Sequence, residues 1–286
     1  MGDAMSSHSL KGRVAVITGA ASGIGEALAR ALAARGATLA ISDIRGQRLD
    51  SLAAEFTAAG IACLARPVDV ADPGAVQAFA DEVESAYGRV DLVFNNAGVA
   101  LISGVEAAPL SDAHWLMNIN FWGVVHGCRA FVPALRRAGG GHLINVSSIF
   151  AMVSMPSQAF YNASKAAVRG FSDALREELR GSGIQVLCVH PGGVKTRIAE
   201  DARVRDLHFV ATDAPTMRRQ FLAAARTTPA VAAEVILDAV RAGQPRVLVG
   251  ADAKVLDAIF RLFPARASRW LTGLAKRQRA PAASAR

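Results

Sequence analysis

The chain has 286 residues, of which 52% are hydrophobic and 20% are charged. This composition is typical of a globular protein with a sizeable core and excludes a largely disordered chain. No run of about eighteen apolar residues occurs, and the opening stretch, MGDAMSSHSL, lacks the basic and apolar regions of a signal peptide. We therefore expect a cytoplasmic protein that begins with a short disordered tail at 1–10.

The net charge of +8 is concentrated in the last third of the chain. Residues 1–200 hold 17 Lys and Arg against 17 Asp and Glu, whereas residues 201–286 hold 15 against 7. This asymmetry bears on binding partners and not on the fold. Because the basic residues lack interleaved aromatics and a known docking motif, we expect no nucleic-acid partner.

The three cysteines, Cys63, Cys128 and Cys188, are far apart and flanked by small or apolar residues. This pattern predicts buried free thiols rather than disulfides or metal ligands. We expect no metal site, and a reducing compartment.

Short apolar runs alternate with longer helical patterns along most of the chain. The runs, in order, are RVAVITG at 13–19, TLAISD at 38–43, IACLARPVDV at 61–70, VDLVFNNAG at 90–98, GHLINVSS at 141–148, IQVLCVHPG at 184–192 and RVLVG at 246–250. Continuous apolar strands separated by helices predict a parallel sheet covered on both faces. The fold class is therefore α/β: one doubly wound, Rossmann-like domain at 11–250, followed by a C-terminal helical extension at 251–286.

The first predicted strand ends in the glycine-rich stretch TGAASGIG at 18–25 and continues directly into a helical pattern. Gly19, Gly23 and Gly25 allow the backbone to turn tightly and to approach a pyrophosphate, whose charge the helix N-terminus stabilises. A tight turn alone would also explain the glycines. The order of strand, glycine turn and helix favours a dinucleotide-binding site.

Asp43 ends the second predicted strand, where an acidic residue accepts hydrogen bonds from the adenosine ribose hydroxyls. Because a carboxylate at this position repels a 2′-phosphate, we predict NAD in preference to NADP. Arg45 and Arg48 lie nearby and are able to neutralise Asp43 in part, which keeps NADP as the second choice. The alternative role for Asp43 is to stabilise a turn or cap a helix.

Two further strand ends carry polar residues. Asp69 ends the third strand and either accepts a hydrogen bond from an adenine amino group or caps the next helix. In NNAG at 95–98, the Asn side chains are able to join neighbouring strands and loops, and Gly98 lets the backbone lie against a cofactor. The pattern supports the structural and cofactor roles of this motif about equally.

Tyr161 and Lys165 lie four residues apart in the helical pattern FYNASKAAV and therefore share one helix face. A phenol has a pKa of about 10, and an adjacent ammonium or the positive ring of an oxidised nicotinamide lowers it. Alcohol oxidation needs such a base, and carbonyl reduction needs the corresponding acid. A solvated surface pair is the ordinary explanation of this spacing. Only the other motifs of the sequence favour a catalytic role for the pair.

Ser148 stands thirteen residues before Tyr161, at the end of a strand. Its hydroxyl is suited to hold a substrate oxygen against Tyr161, and Ser147 is the competing choice because neighbouring strand residues point to opposite faces. Asn120, in NINFWG, either binds a water that relays protons from Lys165 or satisfies a backbone carbonyl.

Together these motifs resemble the short-chain dehydrogenase/reductase family over about residues 10–198. The resemblance rests on TGAASGIG, NNAG, HPGGVKT at 190–196 and the set Asn120, Ser148, Tyr161 and Lys165, which matches the catalytic tetrad of the family at every position. It implies a seven-stranded Rossmann-like sheet and hydride transfer between nicotinamide and an alcohol or ketone. It also implies a homodimer or homotetramer assembled through the helices that contain Asn120 and Tyr161.

The resemblance assigns further residues to the cofactor. Lys165 would hold the nicotinamide ribose, while Val194 and Thr196 would lie near the carboxamide. The predicted cofactor contacts are Gly19, Ser22, Gly23, Ile24, Gly25, Asp43, Asp69, Val70, Asn96, Ala97, Gly98, Tyr161, Lys165, Pro191, Gly192, Val194 and Thr196.

The substrate region varies freely within the family. Residues 199–225 have no clear period, so we expect a mobile loop or short helices that form a substrate lid. The residues expected to line the pocket are Ile102, Met152, Val153, Met155 and Phe160. These apolar side chains favour a lipophilic or aromatic alcohol or ketone over a sugar.

The extension at 251–286 carries an apolar stripe with basic residues beside it. The stripe consists of Val255, Leu256, Ile259, Phe260, Leu262 and Phe263, followed by Trp270, Leu271 and Leu274. It is suited to cap the substrate pocket or to pack in a dimer, and the alternative is peripheral contact with an anionic membrane.

The leading hypothesis is an NAD-dependent oxidoreductase that acts on a lipophilic secondary alcohol or ketone. Tyr161 would be its general acid or base, Lys165 would tune Tyr161, Ser148 would orient the substrate and Asn120 would support the proton relay. The alternative is an NAD(H)-sensing binding protein that uses its basic tail to contact membrane or nucleic acid. Against it, a sensor needs neither Tyr161 nor Ser148.

Overall fold

The computed structural model describes residues 10–207, 211, 213–270 and 273. Its strands are β1 Val14–Thr18, β2 Thr38–Asp43, β3 Cys63–Pro67, β4 Leu92–Asn95, β5 Leu101–Ile102, β6 Gly141–Val146, β7 Ile184–Pro191, β8 Arg203–Val204 and β9 Arg246–Val249. Seven of these strands form a parallel sheet in the order β3-β2-β1-β4-β6-β7-β9, and β5 pairs with β8 in a small second sheet.

Helices cover both faces of the large sheet, which confirms the doubly wound, Rossmann-like prediction. They are α1 Gly23–Ala33, α2 Gly46–Ala58, α3 Pro73–Tyr87, α4 Leu110–Met117, α5 Gly123–Arg137, α6 Ala159–Glu178, α7 Ala214–Ala224, α8 Pro229–Arg241 and α9 Ala251–Leu262. Helices α1, α2 and α8 pack against one face, and α3, α5 and α6 against the other.

The pleat of β1 shows why apolar runs without alternation form this sheet. Ala15 and Ile17 contribute to the core on the α1 side, whereas Val14 and Val16 contribute to the core on the α3 side. Successive side chains of a strand point to opposite faces, so a strand that is covered on both sides needs apolar residues at every position.

The order of the strands reverses at β1, because β2 and β3 lie on one side of it and β4 and the later strands of the sheet lie on the other. Val16 is paired with Ala40 of β2 on one side and with Val93 of β4 on the other. Ligands of open parallel sheets bind at such a switch point, outside the carboxyl ends of the strands. The fold therefore places the ligand site beside the ends of β1 and β4.

Residues 199–225 contain more regular structure than a loop. A short 3-10 turn spans Arg197–Ala199, β8 pairs in parallel with β5, and α7 follows. Asp213 caps α7 by accepting a hydrogen bond from the backbone N–H of Thr216 at 2.7 Å. The role of this segment as a lid stays a prediction.

One residue, Gly250, separates β9 from helix α9, which packs against the domain. Its Ala253 and Asp257 are buried, and Leu256 and Phe260 contact an apolar cluster that includes Ile149. Among the described residues, no helix is both long and apolar enough to span a bilayer. Of the tail predicted at 1–10, residues 1–9 lie outside the described residues, as do Leu271 and Leu274, whereas Leu10 is buried in the core on the α1 side.

Candidate active site

The residues predicted for the site follow or end neighbouring strands at one edge of the sheet. The glycine loop follows β1, Asp43 ends β2, and the NNAG motif overlaps the end of β4. Ser148 follows β6, and the stretch 191–196 follows the last residues of β7. The topology thus brings residues from five separate parts of the sequence to the switch point.

The glycine loop is shaped by close backbone contacts. Gly19 has a φ of 65°, and a Cβ on it would lie 2.8 Å from the Cα of Ala97, while a Cβ on Gly25 would collide with the Gly19 carbonyl oxygen. Asn96 holds the loop, because its Nδ2 donates to the carbonyls of Thr18 at 2.9 Å and Gly19 at 3.1 Å. Side chains larger than hydrogen would therefore displace this loop.

The start of α1 has the properties of an anion site. Ser22 precedes the helix but makes no capping hydrogen bond, so its side chain does not satisfy the first N–H groups of α1. A Cβ on Gly23 would lie 3.0 Å from Cγ2 of Thr196, which places the loops after β1 and β7 in contact. This cradle fits the pyrophosphate of a dinucleotide.

Asp43 is buried and has two hydrogen-bond partners. Its carboxylate accepts from the backbone N–H groups of Ala21 at 3.0 Å and Arg45 at 2.9 Å, so it stabilises the glycine loop and its own turn. The Arg45 guanidinium pairs with Asp201 at 2.8 Å. Beside Asp43, Ile44 is 67% exposed, and the sequence analysis did not single it out.

Asp69 and Val70 differ in burial. Asp69 is exposed and accepts a hydrogen bond from the Ala71 N–H at 2.9 Å, as in a turn cap. Val70 is buried, and its carbonyl oxygen lies 2.9 Å from Nδ1 of His126 on α5. The first Asn of NNAG, Asn95, is structural, because its Nδ2 donates to Oδ1 of Asn145 on β6 at 2.8 Å.

Tyr161 and Lys165 lie side by side and are both buried, at 9% and 3% exposure. The Lys165 Nζ is 5.9 Å from the centre of the Tyr161 ring and donates to the Val146 carbonyl at 3.0 Å. Burial raises the pKa of Tyr161 to about 12, although a hydrogen bond with Ser148 opposes this shift. Burial lowers the pKa of Lys165 to about 8.

The shift of the Tyr161 pKa is opposite to the direction expected from the sequence. The spacing of Tyr161 and Lys165 predicts that the ammonium favours the phenolate, but it does not reveal that the whole pair is desolvated. Desolvation disfavours the charged form of each group, so it raises one pKa and lowers the other.

The two serines after β6 face different partners. Ser148 opposes the rise of the Tyr161 pKa, and its Oγ accepts a hydrogen bond from the Phe150 N–H at 3.1 Å. Ser147 instead donates to the carbonyl of Lys165 at 2.8 Å. His190 of β7 is an additional residue here, because its Nδ1 lies 3.1 Å from the Ser148 carbonyl oxygen.

Asn120 is fully buried in a π-helical turn, Asn118–Trp122, between α4 and α5. Its Oδ1 accepts from the Val99 N–H at 2.8 Å, and its Nδ2 donates to the Val99 carbonyl at 3.0 Å. A Cβ on Gly98 would lie 3.3 Å from both Asn120 Oδ1 and Lys165 Nζ. The backbone role is thus observed, and the water relay stays a prediction.

The loop after β7 is held from several directions. The Gly192 N–H donates to the Val249 carbonyl at 2.9 Å, and the Lys195 N–H donates to the Thr227 carbonyl at 2.9 Å. The Gly193 N–H donates to Asp252 of α9 at 2.6 Å. Asp252 was missed by sequence reasoning, because no spacing or motif connects it to a loop 59 residues away.

Three of the five predicted pocket residues belong to two apolar clusters, and Ile102 and Met155 belong to neither. Tyr161 packs with the buried Leu101, Ala108 and Leu116, and the half-buried members of this cluster are Val99, Ala100, Trp115, Phe150, Phe160 and Ile198. Met152 and Val153 belong instead to the cluster against α9. The surroundings of the phenol are therefore apolar, but only Phe160 of the predicted lining packs in the Tyr161 cluster.

The model of the short chain dehydrogenase family matches residues 13–206. SadH of Mycobacterium tuberculosis strain H37Rv, which its name describes as an oxidoreductase, is 42% identical over 256 residues that cover 89% of this chain and 92% of SadH. D-threitol dehydrogenase of Mycolicibacterium smegmatis is 38% identical over 198 residues, which cover 68% of this chain and 74% of that enzyme.

Among solved structures, a short chain dehydrogenase/reductase from Burkholderia phymatum in complex with NAD has a TM-score of 0.77 and 31% identity. The match covers 89% of this chain and 96% of that protein. The family model, the relatives and the solved structure all indicate the same family. The chain belongs to the short-chain dehydrogenase/reductase family and is a nicotinamide-dependent oxidoreductase.

Proposed function

We propose that the protein is an NAD-dependent dehydrogenase or reductase of lipophilic secondary alcohols and ketones. One observation carries the proposal: the Tyr161 phenol is buried beside Lys165 within an apolar cluster, and Ser148 opposes the rise of its pKa. An acid or base, a hydroxyl that orients a substrate oxygen, and an apolar surrounding are what a carbonyl reduction on a hydrophobic molecule requires.

The glycine loop and the start of α1 would hold the pyrophosphate of the cofactor. Asp43, Ile44 and Val70 would contact the adenosine end, and Lys165 and Thr196 would contact the nicotinamide end. A nicotinamide held in this way would supply the hydride acceptor or donor. Each remaining task, which is to bind the substrate, orient it and move its proton, belongs to side chains of the protein.

The charge at the end of β2 supports NAD over NADP. Asp43 is a buried carboxylate whose two observed partners are backbone N–H groups. Arg45 binds Asp201 through its guanidinium and contributes only its backbone N–H to Asp43. A 2′-phosphate at this position would face a carboxylate without a guanidinium paired to it, so we expect NADP to bind less tightly.

Tyr161 would transfer the proton. With a pKa of about 12, its hydroxyl keeps its proton at neutral pH and is ready to donate it to a carbonyl oxygen. The opposite reaction needs the phenolate, which the neighbouring Lys165 ammonium stabilises. Ser148 would hold the substrate oxygen, and Asn120 would keep the backbone of Val99 in place beside Lys165 and support a water relay.

We propose that the assembly is a homodimer or homotetramer formed through α4, α5 and α6. Trp122 is 47% exposed on the π-helical turn, next to Phe121, and Phe121 packs edge-on against Phe171 of α6. An exposed indole beside an aromatic pair is typical of interfaces. Light scattering measures the mass of the assembly in solution for Trp122→Ser and for the unchanged protein. We expect a smaller assembly for Trp122→Ser.

We propose that α9 and the segment after it cap the substrate side and that the protein is cytoplasmic. The contacts of Leu256 and Phe260 support the cap, and three free cysteines agree with a reducing compartment. The exposed Leu262, Phe263 and Trp270 make membrane contact the competing role. Co-sedimentation with anionic vesicles, for the full chain and for a chain ending near residue 265, decides between them.

The test of the function is turnover with NAD and NADP separately, followed by the absorbance of reduced nicotinamide. The substrates are a series of hydrophobic secondary alcohols and, as polyols, D-threitol and its relatives. We expect turnover of the hydrophobic alcohols with NAD, and a preference for NAD that shrinks in Asp43→Asn by about tenfold. Efficient turnover of polyols alone, or equal use of NADP, would contradict the proposal.

A further inference from the structure

We infer that Asp252 of α9 is a positioning residue for the nicotinamide end of the cofactor site. The inference rests on the proposed function, because the loop that Asp252 holds, Pro191–Thr196, is the predicted nicotinamide-side loop. Asp252 lies outside the predicted cofactor contacts and belongs to the part of the sequence predicted to be an extension.

The carboxylate of Asp252 fits into a slot lined by glycines. It accepts from the Gly193 N–H at 2.6 Å. A Cβ on Gly192 would collide with Oδ2 of Asp252, and a Cβ on Gly250 would collide with Oδ1. Only glycine at these two positions lets the backbone come this close to the Asp252 carboxylate.

The other contacts of the loop on this side are hydrogen bonds between backbone groups, including the one from the Lys195 N–H to the Thr227 carbonyl at 2.9 Å. Gly192 is bound by Val249 through one backbone hydrogen bond, and the Gly193 carbonyl accepts from the Thr227 N–H at 3.3 Å. The bond from Gly193 to Asp252 is shorter than these and has a side-chain carboxylate as its acceptor. Its loss would loosen the loop at Gly193, because glycine has the largest conformational freedom of any residue.

The position of Asp252 also makes its effect separable from the stability of α9. Asp257 is a second acid on the same helix, and it is buried against Arg246 at 2.6 Å and Arg261 at 2.9 Å. Arg246 is the first residue of β9, so its pair with Asp257 ties α9 to β9, whereas Arg261 belongs to α9 itself. Replacing Asp257 therefore tests the attachment of the helix, whereas replacing Asp252 tests the attachment of the loop.

The experiment measures the dissociation constants of NAD and NADH by calorimetry, well below the melting temperature, for the unchanged protein, Asp252→Ala, Asp252→Asn and Asp257→Ala. We expect binding to weaken about tenfold in Asp252→Ala. In Asp252→Asn the loss should be smaller, because the amide oxygen still accepts from Gly193. Asp257→Ala should lower the melting temperature but leave both constants within about twofold of the unchanged protein.

The possible failures are distinguishable. If the unchanged protein binds neither NAD nor NADH, the proposed function is overturned together with this inference. If the unchanged protein binds and Asp252→Ala binds equally well, only this inference is overturned. Equal losses in Asp252→Ala and Asp257→Ala would also overturn it, since they would show that α9 acts only through its overall attachment.

Discussion

At the scale of single residues, burial is the dominant force at the site. Tyr161 and Lys165 are both buried. The pKa of Tyr161 is raised and that of Lys165 is lowered, and each shift favours the neutral form of the group. A buried ammonium costs stability, which the protein retains because the charge has a chemical task beside the phenol. This cost predicts a trade-off between stability and activity at Lys165.

Replacing Lys165 with Met should abolish turnover and stabilise the fold at neutral pH by up to about 3 kcal/mol. The Lys165 pKa falls from 10.5 in its ordinary state to about 8 in the fold. The unfolded chain therefore binds more protons between pH 8 and 10.5, and the stability of the unchanged protein rises with pH across this window. Denaturant unfolding at several pH values measures the difference in the free energy of unfolding between Lys165→Met and the unchanged protein. We expect this difference to disappear above about pH 10.5.

The control for this prediction is Lys254→Met, because Lys254 is an exposed lysine of α9. The difference in the free energy of unfolding between Lys254→Met and the unchanged protein should not change with pH. A Lys165→Met protein less stable than the unchanged one at pH 7 would mean that the hydrogen bond to Val146 outweighs the cost of burying the charge.

Ser157, just before α6, is in an unfavourable backbone conformation. Its φ is 63°, it is 6% exposed, and its hydroxyl is buried without a hydrogen-bond partner. Glycine at this position would remove the strain and the unpaired hydroxyl, at the cost of greater freedom in the unfolded chain. We expect Ser157→Gly to stabilise the protein by about 1 kcal/mol.

Calorimetric melting of Ser157→Gly is compared with that of Ser154→Gly, an exposed serine in the same loop whose φ is not positive. Ser154→Gly should lower the melting temperature slightly and Ser157→Gly should raise it. A lower melting temperature for both would show that no strain is stored at Ser157.

At the scale of elements, a buried acid of α4 anchors the segment predicted to form the lid. Asp112 accepts hydrogen bonds from Arg203 of β8 at 2.7 Å and from Arg205 at 2.5 Å, and the Arg203 guanidinium lies 3.6 Å from the centre of the Trp115 ring. Arg205, followed by Arg203, holds the pKa of Asp112 below its usual range. The anchor is therefore fully charged at neutral pH and is lost as acid protonates Asp112.

Asp112→Asn should weaken substrate binding more than cofactor binding. The neutral amide leaves two guanidinium groups without their carboxylate, so β8 loses its ionic contact with α4 and is held by its pairing with β5. We expect KM for the alcohol to rise about fivefold or more, with the NAD dissociation constant unchanged. Steady-state kinetics and calorimetry measure the two quantities.

Asp173→Asn is the matched control, because Asp173 forms an exposed pair with Arg176 on α6, and such pairs contribute little. It should leave both quantities unchanged. A parallel loss of cofactor and substrate binding in Asp112→Asn would instead indicate a general loosening of the fold.

At the scale of the whole molecule, the sequence predicts the fold because its signals are local. Apolar runs, glycine turns and caps each specify one element, and α3 shows this well: Asp72 caps its start, Pro73 follows, and Gly88 ends it in the left-handed conformation. The order of such elements then restricts the chain to a doubly wound sheet.

The residues that sequence reasoning missed depend on contacts between distant segments. Asp252 belongs to no motif, and its contact with Gly193 appears only when the fold places α9 beside the loop after β7. His190 begins the motif HPGGVKT, but its contact with the Ser148 carbonyl also appears only in the fold. The pKa of Tyr161 was predicted in the wrong direction for the same reason, since burial is a property of the assembled site. Pocket residues were the least predictable, because Met152 and Val153 pack toward α9.

The central claim is that Tyr161 transfers the proton during hydride transfer. The most direct test compares Tyr161→Phe with the unchanged protein, with turnover of a hydrophobic secondary alcohol and the dissociation constant of NADH measured on the same samples. We expect turnover to fall by about a thousandfold with NADH binding nearly unchanged, because only the hydroxyl is removed. Turnover that stays within a few fold of the unchanged protein would contradict the claim and assign the proton transfer to another group.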